Sequence, residues 1–235
     1  MSQGFQFRIA YTWSKLINNG ADAGQGDGGP FNGIQNPVDI QGGERSVSYD
    51  DVPHYVGVAG SYELPFGPGK KFGASSQGAL AKLMGGWQLS AILVYQSGRP
   101  IGVGMANDMG GFLFNYNKRP NKVGPGVNPN FTNPQTPYLL ASGWADPGPL
   151  VFGNAPRMDP HVRGFAYYNE DWAIFKDTRI TESKYLRFEA DVGNVFNRVY
   201  FCPVNANWSD PVGFGTTSSQ CNLPRQIQFG LAFNF

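Results

Sequence analysis

The sequence predicts an all-β fold, and three features of its composition favour that prediction. Charged residues make up only 15% of the chain, where about 25% is usual. Aromatic residues reach 14%, more than a disordered chain carries. The 32 glycines and 18 prolines favour turns over helices, because these two residues are the poorest helix formers. A β protein with long loops suits this composition.

Three segments alternate apolar and polar residues strictly, which is typical of strands with two different faces. Their opposite faces carry polar or small residues. Their apolar faces consist of Phe5, Phe7, Ile9, Tyr11 and Trp13; of Leu186, Phe188, Ala190 and Val192; and of Ile227, Phe229, Leu231, Phe233 and Phe235. We expect strands at the N-terminus, near residues 186–193 and at the C-terminus.

Three further segments fit the same pattern less strictly. One runs from Pro53 to Leu64, and one from Trp87 to Gln96, where Ile92 and Val94 interrupt the polar side. In the third, residues 171–180, Trp172 and Ile174 share a face before the pattern drifts. A short helix is expected around residues 79–84. The count is therefore about six long strands.

The connections between these strands alternate between long and short. The long ones are residues 17–52, 97–170 and 198–222, whereas residues 181–184 form a short turn. Long outer loops and short periplasmic turns are typical of outer-membrane barrels. Strands of about ten residues span a bilayer at the usual tilt, while soluble strands have about five or six residues. The sequence predicts an antiparallel transmembrane β-barrel segment covering residues 1–235.

The two faces of the strands differ in character. The apolar face is rich in aromatic residues near strand ends, as the aromatic girdles of membrane barrels require. The opposite face carries Arg8, Glu63, Arg187, Glu189 and Asp191, which suit a water-filled lumen. A soluble β-sandwich also alternates, so an extracellular lectin-like binding module remains the alternative.

Several stretches of the chain resemble known outer-membrane proteins. The end of the chain resembles the assembly signal of outer-membrane barrels, carried here by Phe229, Leu231, Phe233 and Phe235. Other pieces resemble, in order, the C-terminal barrel portion of TonB-dependent receptors, especially the Oar-like group with a carboxypeptidase-regulatory-like domain. These pieces are residues 10–15 (AYTWSK), 51–54 (DVPH), 61–67 (SYELPFG), 86–89 (GWQL), 96–100 (QSGRP) and 188–197 (FEADVGNVFN).

The resemblance implies a place in the bacterial outer membrane and a part in energised uptake of a large ligand. It implies as partners the outer-membrane lipid, the barrel-assembly machinery, the remaining N-terminal barrel strands with their plug, and, through that missing part, the TonB complex. Such receptors close about 22 strands around a plug. We therefore expect an incomplete barrel, a fragment without plug or N-terminal domains that is not a transporter by itself. An outer-membrane adhesin barrel is a further alternative.

No catalytic, cofactor or metal site is predicted, and the chain is not expected to be an enzyme. His54 and His161 lack ligand spacing. The carboxylates of Glu189 and Asp191 beside Arg187 favour a lumen-facing ion-pair ladder over an acid–base pair. The glycine-rich run 20–29 favours a flexible loop over a calcium site. No basic run exists, which excludes a nucleic-acid partner.

Two groups of loop residues carry further predictions. Cys202 and Cys221 are expected to form a disulfide in an oxidising compartment, with two free thiols as the alternative. The aromatic residues of the longest loop can contact a ligand or pack the loop into a compact cap, and packing is favoured. They are Phe112, Phe114, Tyr116, Tyr138 and Trp144.

Overall fold

A computed structural model describes residues 4–19, 34–36, 38–106 and 118–235 of the chain, and its main element is one sheet of six long strands. In chain order these are β1 (Phe5–Trp13), β2 (His54–Glu63), β3 (Trp87–Gln96), β4 (Tyr167–Arg179), β5 (Tyr185–Gly193) and β6 (Gln226–Asn234). A single α-helix among the described residues, α1 (Gly78–Met84), lies between β2 and β3. The predicted all-β fold and its six strands are confirmed. No described helix is long and apolar enough to cross a membrane.

The predicted fourth strand differs from the observed one at its start. The sequence placed its beginning at Asp171, but β4 begins at Tyr167, so the preceding connection ends at residue 166 rather than 170. The alternation fails in β4 because Glu170 and Lys176 lie on its apolar side. Both positions still pair regularly with neighbouring strands.

The sheet is an open antiparallel meander in which each strand pairs with its neighbours in the sequence. In the described part of the chain no hydrogen-bond ladder joins β1 to β6, so these strands form the two edges. The sheet is therefore a barrel segment that does not close on itself. An open edge exposes unpaired backbone groups, which a bilayer does not tolerate.

The strand register brings all six predicted apolar faces to the same side of the sheet. Directly opposed residues of an antiparallel pair share a face. One row of such residues crosses all six strands: Phe7, Gly60, Ala91, Trp172, Val192 and Ile227. We call the side that carries this row the apolar face, and the other side the polar face.

The longer connections between the strands lie at one end of the sheet, and the shorter ones lie at the other end. Residues 64–86 and 180–184 join strands at the lower end, and residues 14–53, 97–166 and 194–225 join them at the upper end. We call the described part of the upper connections the cap. Its short elements are the strands Ile17–Asn18, Ser46–Val47, Pro100–Ile101, Asn121–Lys122, Trp144–Ala145 and Asp159–Arg163, and the 3₁₀ helix Ala141–Gly143.

The hydrophobic core of the described chain lies in the cap and not on the sheet. None of the buried hydrophobic residues belongs to β1–β6. The main cluster consists of Val103, Leu139, Trp144, Ala155, Val162, Val204 and Phe214. The cap thus resembles a small soluble domain, while the sheet has no interior of its own.

Candidate functional site

The apolar face of the sheet is most exposed on the edge strands β1 and β6 and mostly half-buried on the strands between them. Phe229 and Leu231 of β6 are 69% and 71% exposed, and the large side chains of β1 are exposed as well. In a β-sandwich these residues would be buried against a second sheet, so the alternative of a soluble lectin-like sandwich is wrong. An apolar surface far larger than a soluble monomer normally exposes indicates a membrane environment.

Two charged residues, Glu170 and Lys176, are the only buried residues of the six long strands. Both lie in β4, on the apolar face. A charge facing lipid is costly unless a partner compensates it. The partners come from two segments that are not strands, one at each end of the sheet.

At the upper end, the partner of Glu170 is Arg198. The Arg198 Nε donates to both carboxylate oxygens of Glu170, at 3.0 and 2.8 Å. This hydrogen bonding raises the pKa of Arg198. The guanidinium also lies over the rings of Tyr168 and Phe196, a cation–π arrangement. Glu170 is thereby buried, while the Arg198 side chain remains 45% exposed.

A turn after β5 positions Arg198. Asn194 is buried in a left-handed conformation, with φ of 49°, which asparagine tolerates better than most residues. Its backbone N–H donates to Asp171 at 2.8 Å, and its side chain bonds to the backbone of Arg198 and of Leu223. The turn therefore connects the upper ends of β4, β5 and the segment leading into β6.

At the lower end, Lys176 is compensated by backbone carbonyls of α1 and its C-cap. Its Nζ donates to the carbonyls of Lys82 and Gly85 at 2.7 and 2.6 Å. The carbonyls at the end of a helix carry partial negative charge and favour a cation. Trp87 lies beside the ammonium, 5.7 Å from ring centroid to Nζ. Lys176 thus holds α1 against the apolar side of the sheet.

The polar face carries ion pairs across strands. Arg187 pairs with Asp177 on the neighbouring strand through two hydrogen bonds of 2.7 Å. Glu63, at the end of β2, pairs with Lys70 of the lower connection at 2.9 Å. The sequence prediction placed Arg187 in a ladder with Glu189 and Asp191, which follow it on the same strand. The structure instead places its partner directly across the strand pair. A half-exposed face with such pairs suits contact with water.

The strongest polar site of the cap is a buried ion pair between Arg119 and Glu44. Arg119 donates from Nη1 and Nη2 to the two oxygens of Glu44 at 2.8 and 2.9 Å, and from Nε to the carbonyl of Ala155. Glu44 also accepts the backbone N–H groups of Gln35 and Asn36. Both charged side chains are almost fully buried. The pair connects the first upper loop to the second.

Two further ion pairs connect segments within the cap. Asp51 is buried, pairs with Arg163 at 2.5 Å and accepts the backbone N–H of Leu16 at 2.7 Å. Asp51 therefore fastens the first loop to the second just above the sheet, a structural role. Lys122 pairs with Asp159. Each pair joins segments that are distant in the sequence.

The histidines take part in local contacts. The Nδ1 of His54 lies 2.8 Å from the hydroxyl of Tyr11, and the two rings are stacked. The backbone N–H of His161 donates to Asp159. No group of three or more potential metal ligands occurs among the described residues. The run 20–29 lies outside the described residues.

Of the five loop aromatics named from the sequence, two pack the cap and three lie outside the described residues. Trp144 is 4% exposed and packs edge-on against Phe214, with 5.4 Å between ring centroids. Tyr138 packs against Phe165 and donates its hydroxyl to the carbonyl of Arg163 at 2.5 Å; burial raises the pKa of this hydroxyl. Both residues therefore pack the cap. The others, Phe112, Phe114 and Tyr116, lie outside the described residues.

The two cysteines lie together in the third upper loop. A disulfide joins Cys202 and Cys221 in the structure. Backbone hydrogen bonds flank it on both sides, from Cys202 to Ser219 and from Cys221 to Tyr200. The disulfide closes a loop of the cap and lies away from the sheet.

Sequence reasoning missed the four charged residues that organise this arrangement, namely Glu44, Arg119, Glu170 and Lys176. The only local signal was the break in alternation at Glu170 and Lys176. A charge at an apolar position of an amphipathic strand predicts a compensating partner. The residues near the charge in the sequence do not identify that partner, because the partner lies in another connection of the chain.

Comparison with known proteins gives one match. A family model described as "Outer membrane beta barrel domain" matches residues 1–228. No curated protein matches the chain, and no solved structure does.

Proposed function

We propose, from the premise that this chain belongs to the family of outer membrane β-barrel domains, that it is a segment of a TonB-dependent receptor for energised uptake of a large ligand. The protein resides in the bacterial outer membrane, which both its family and its exposed apolar side chains indicate. The assignment to a TonB-dependent receptor is more specific than the family. It rests first on the ordered set of sequence pieces that resemble such receptors.

The observation that carries the proposal is the two-sided, open sheet beneath a packed cap. Its polar face bears charged pairs such as Arg187–Asp177, which suit a wet lumen. Its edge strands β1 and β6 have unsatisfied backbone groups and need further strands to pair with. A wide barrel assembled with those strands would have room for a plug, whereas six strands alone enclose no such lumen.

The proposal requires partners beyond the sheet itself. The barrel-assembly machinery would recognise the C-terminal strand, with Phe229, Leu231, Phe233 and Phe235, and the remaining strands would then complete the wall. TonB would act through the plug and not through the residues of this sheet. Uptake would thus belong to the assembled receptor.

The test uses the complete gene product in a Gram-negative host. Cells with and without TonB are compared for uptake of a panel of labelled ligands too large for porins, and for cross-linking of the receptor to TonB. The proposal expects uptake that stops when TonB is removed or the proton-motive force is dissipated. Equal uptake under all of these conditions, with no cross-link, would refute it.

A second candidate, an adhesin barrel, is favoured by one observation. The cap has its own core and buried ion pairs, so it presents a preorganised outer surface, as a binding module needs. Adhesion predicts attachment of cells to a polymer or host surface that survives loss of TonB. The same strains therefore separate the two candidates.

A further inference from the structure

The short helix α1 places its most apolar residues in solvent. Leu80 and Leu83 are 55% and 68% exposed, while Ala81 and Met84 are partly buried against neighbouring segments. No residue of α1 is buried. A helix of a water-soluble protein turns its leucines toward the core, so this orientation indicates that an apolar environment lies on the outer side of α1.

The same connection exposes two further aromatic residues. Phe66 and Phe72 are exposed, and their ring centroids lie 5.6 Å apart. Backbone hydrogen bonds from Phe72 to Pro65 and from Gly67 to Phe72 hold this hairpin-like turn closed. The exposed apolar side chains of residues 64–86 therefore belong to a folded segment.

The charges of this connection are all positive. Residues 64–86 contain Lys70, Lys71 and Lys82 and no Asp or Glu. Lys70 pairs with Glu63, at the end of β2. The ammonium of Lys71 lies over the Phe72 ring, 5.4 Å from its centroid. Apolar side chains next to lysines are typical of segments that lie in the interface of an anionic membrane.

The position of α1 is continuous with the lipid-facing surface of the sheet. Trp87, on the apolar face, donates its indole N–H to the carbonyl of Leu83 at 3.0 Å. Lys176, on the same face, binds the carbonyls of Lys82 and Gly85. These contacts place α1 at the lower boundary of the apolar face, which faces the periplasm if β6 runs inward.

We propose that residues 64–86 form an interfacial anchor that binds phospholipid headgroups of the inner leaflet of the outer membrane. Leu80 and Leu83 enter the boundary between headgroups and acyl chains, and Lys71 and Lys82 contact the phosphates. The position on the apolar side favours lipid over a plug domain, which would lie on the polar side. The anchor rests on the membrane location alone and does not require TonB-dependent uptake.

The experiment measures the depth of single positions in the complete gene product, because the six-stranded sheet has open edges. Since the two cysteines of this chain are joined in a disulfide, a new cysteine can carry a fluorescent probe at L83C, with E182C in the other lower connection as the matched control and L231C as the reference for insertion. The labelled proteins are folded into phosphatidylcholine vesicles with or without an equal share of phosphatidylglycerol. Lipids brominated near the headgroup serve as quenchers for positions 83 and 182, and lipids brominated deep in the acyl chains serve as quenchers for position 231.

The anchor predicts a blue-shifted probe at position 83 whose emission is quenched by the shallow bromines, and an unquenched probe at position 182. Exchanging Lys71 and Lys82 for Gln is expected to shift the immersion equilibrium of the probe about fivefold per lysine. That shift should occur only in vesicles that contain phosphatidylglycerol.

Three outcomes would overturn the inference. The first is a water-exposed probe at position 83 while the probe at position 231 is quenched. The second is cross-linking between the position-83 cysteines of two chains, which would assign the surface to a second copy. The third is an unquenched probe at position 231, because the anchor requires a sheet surrounded by lipid.

Discussion

The sheet and the cap differ in where they place their apolar side chains and their charges. The cap buries its apolar side chains and pairs its buried charges internally, as in Arg119–Glu44. The six strands bury only Glu170 and Lys176, and their apolar side chains are exposed or half-buried. One chain therefore contains a part built for water and a part built for lipid. The difference in where apolar side chains lie indicates that water surrounds the cap and that lipid surrounds the apolar face of the sheet.

The two charges of the apolar face are compensated at opposite ends of the sheet. Glu170 pairs with Arg198 at the cap end, and Lys176 meets the carbonyls of α1 at the other end. Between them the face carries apolar or small residues from every strand. The apolar face thus behaves as a band limited by two polar borders, which is the form of a membrane-spanning wall.

The largest expected effect comes from breaking the buried pair of the cap. Arg119→Ala leaves the carboxylate of Glu44 buried without its main partner, and we expect the cap to lose about 3 to 5 kcal/mol of unfolding free energy. Hydrogen exchange of cap amides measures this loss. Lys70→Ala, which removes an exposed pair, should cost at most about 1 kcal/mol. Equal loosening of cap and strand amides in Arg119→Ala would contradict the separation of the two parts.

A charge introduced at the centre of the apolar face of β6 should destabilise the folded sheet more than a charge introduced on its polar face. Leu231→Arg places a guanidinium in the lipid and is expected to destabilise the folded sheet by about 2 to 4 kcal/mol. The matched control is Gln228→Arg, whose side chain enters the polar face. The measurement is urea-induced unfolding of the complete gene product in lipid vesicles. Similar losses for both variants would show that the two faces have the same environment.

Removal of the disulfide should act on the cap alone. Replacing Cys202 and Cys221 by serine frees a loop closed over a sequence separation of 19 and should lower the stability of the cap by up to about 3 kcal/mol. Thiol titration of the unfolded wild type, before and after reduction, checks that the bond exists. Two thiols without reductant would mean that the cysteines are free.

The smallest expected effect is the pH dependence of one cap turn. The backbone N–H of Gly213, aided by that of Val212 and the amide of Asn205, lowers the pKa of Asp210. Because the folded pKa lies below the unfolded value of about 4, the carboxylate stabilises the turn above that value, and the contribution is lost as the pH falls through the folded pKa. The protection factors of the Val212 and Gly213 amides, measured against the intrinsic exchange rate at each pH, should fall in acid, and Asp210→Asn should remove most of that pH dependence.

The sequence predicted the strands well because their signal is local. Alternation of Phe5 to Trp13 and of Ile227 to Phe235 fixes which side chains share a face without any knowledge of the neighbours. The loop lengths then assign the ends of the strands to the two sides of the membrane. The boundary error at β4 arose because Glu170 interrupts the apolar face, and its compensation by Arg198 comes from a later connection.

The cap could not be predicted in the same way. Its key contacts join residues that are far apart in the sequence, such as Arg119 with Glu44 and Arg163 with Asp51. Neither partner of such a pair has a periodic signal, and irregular loops offer no register. The sequence predicted that the loop aromatics would pack more readily than bind, but not that Trp144 would meet Phe214.

The amino-acid sequence by itself determined the all-β class, the number of strands and the two faces of each, because a period of two residues is a property of the strand alone. It also favoured a membrane environment, through the length of the strands and their aromatic apolar faces, but left a soluble β-sandwich as the alternative. Only the tertiary structure decided that the six apolar faces align in one register, that the charges of β4 have partners, and that the loops form a core. Those outcomes depend on long-range contacts, which no local pattern specifies.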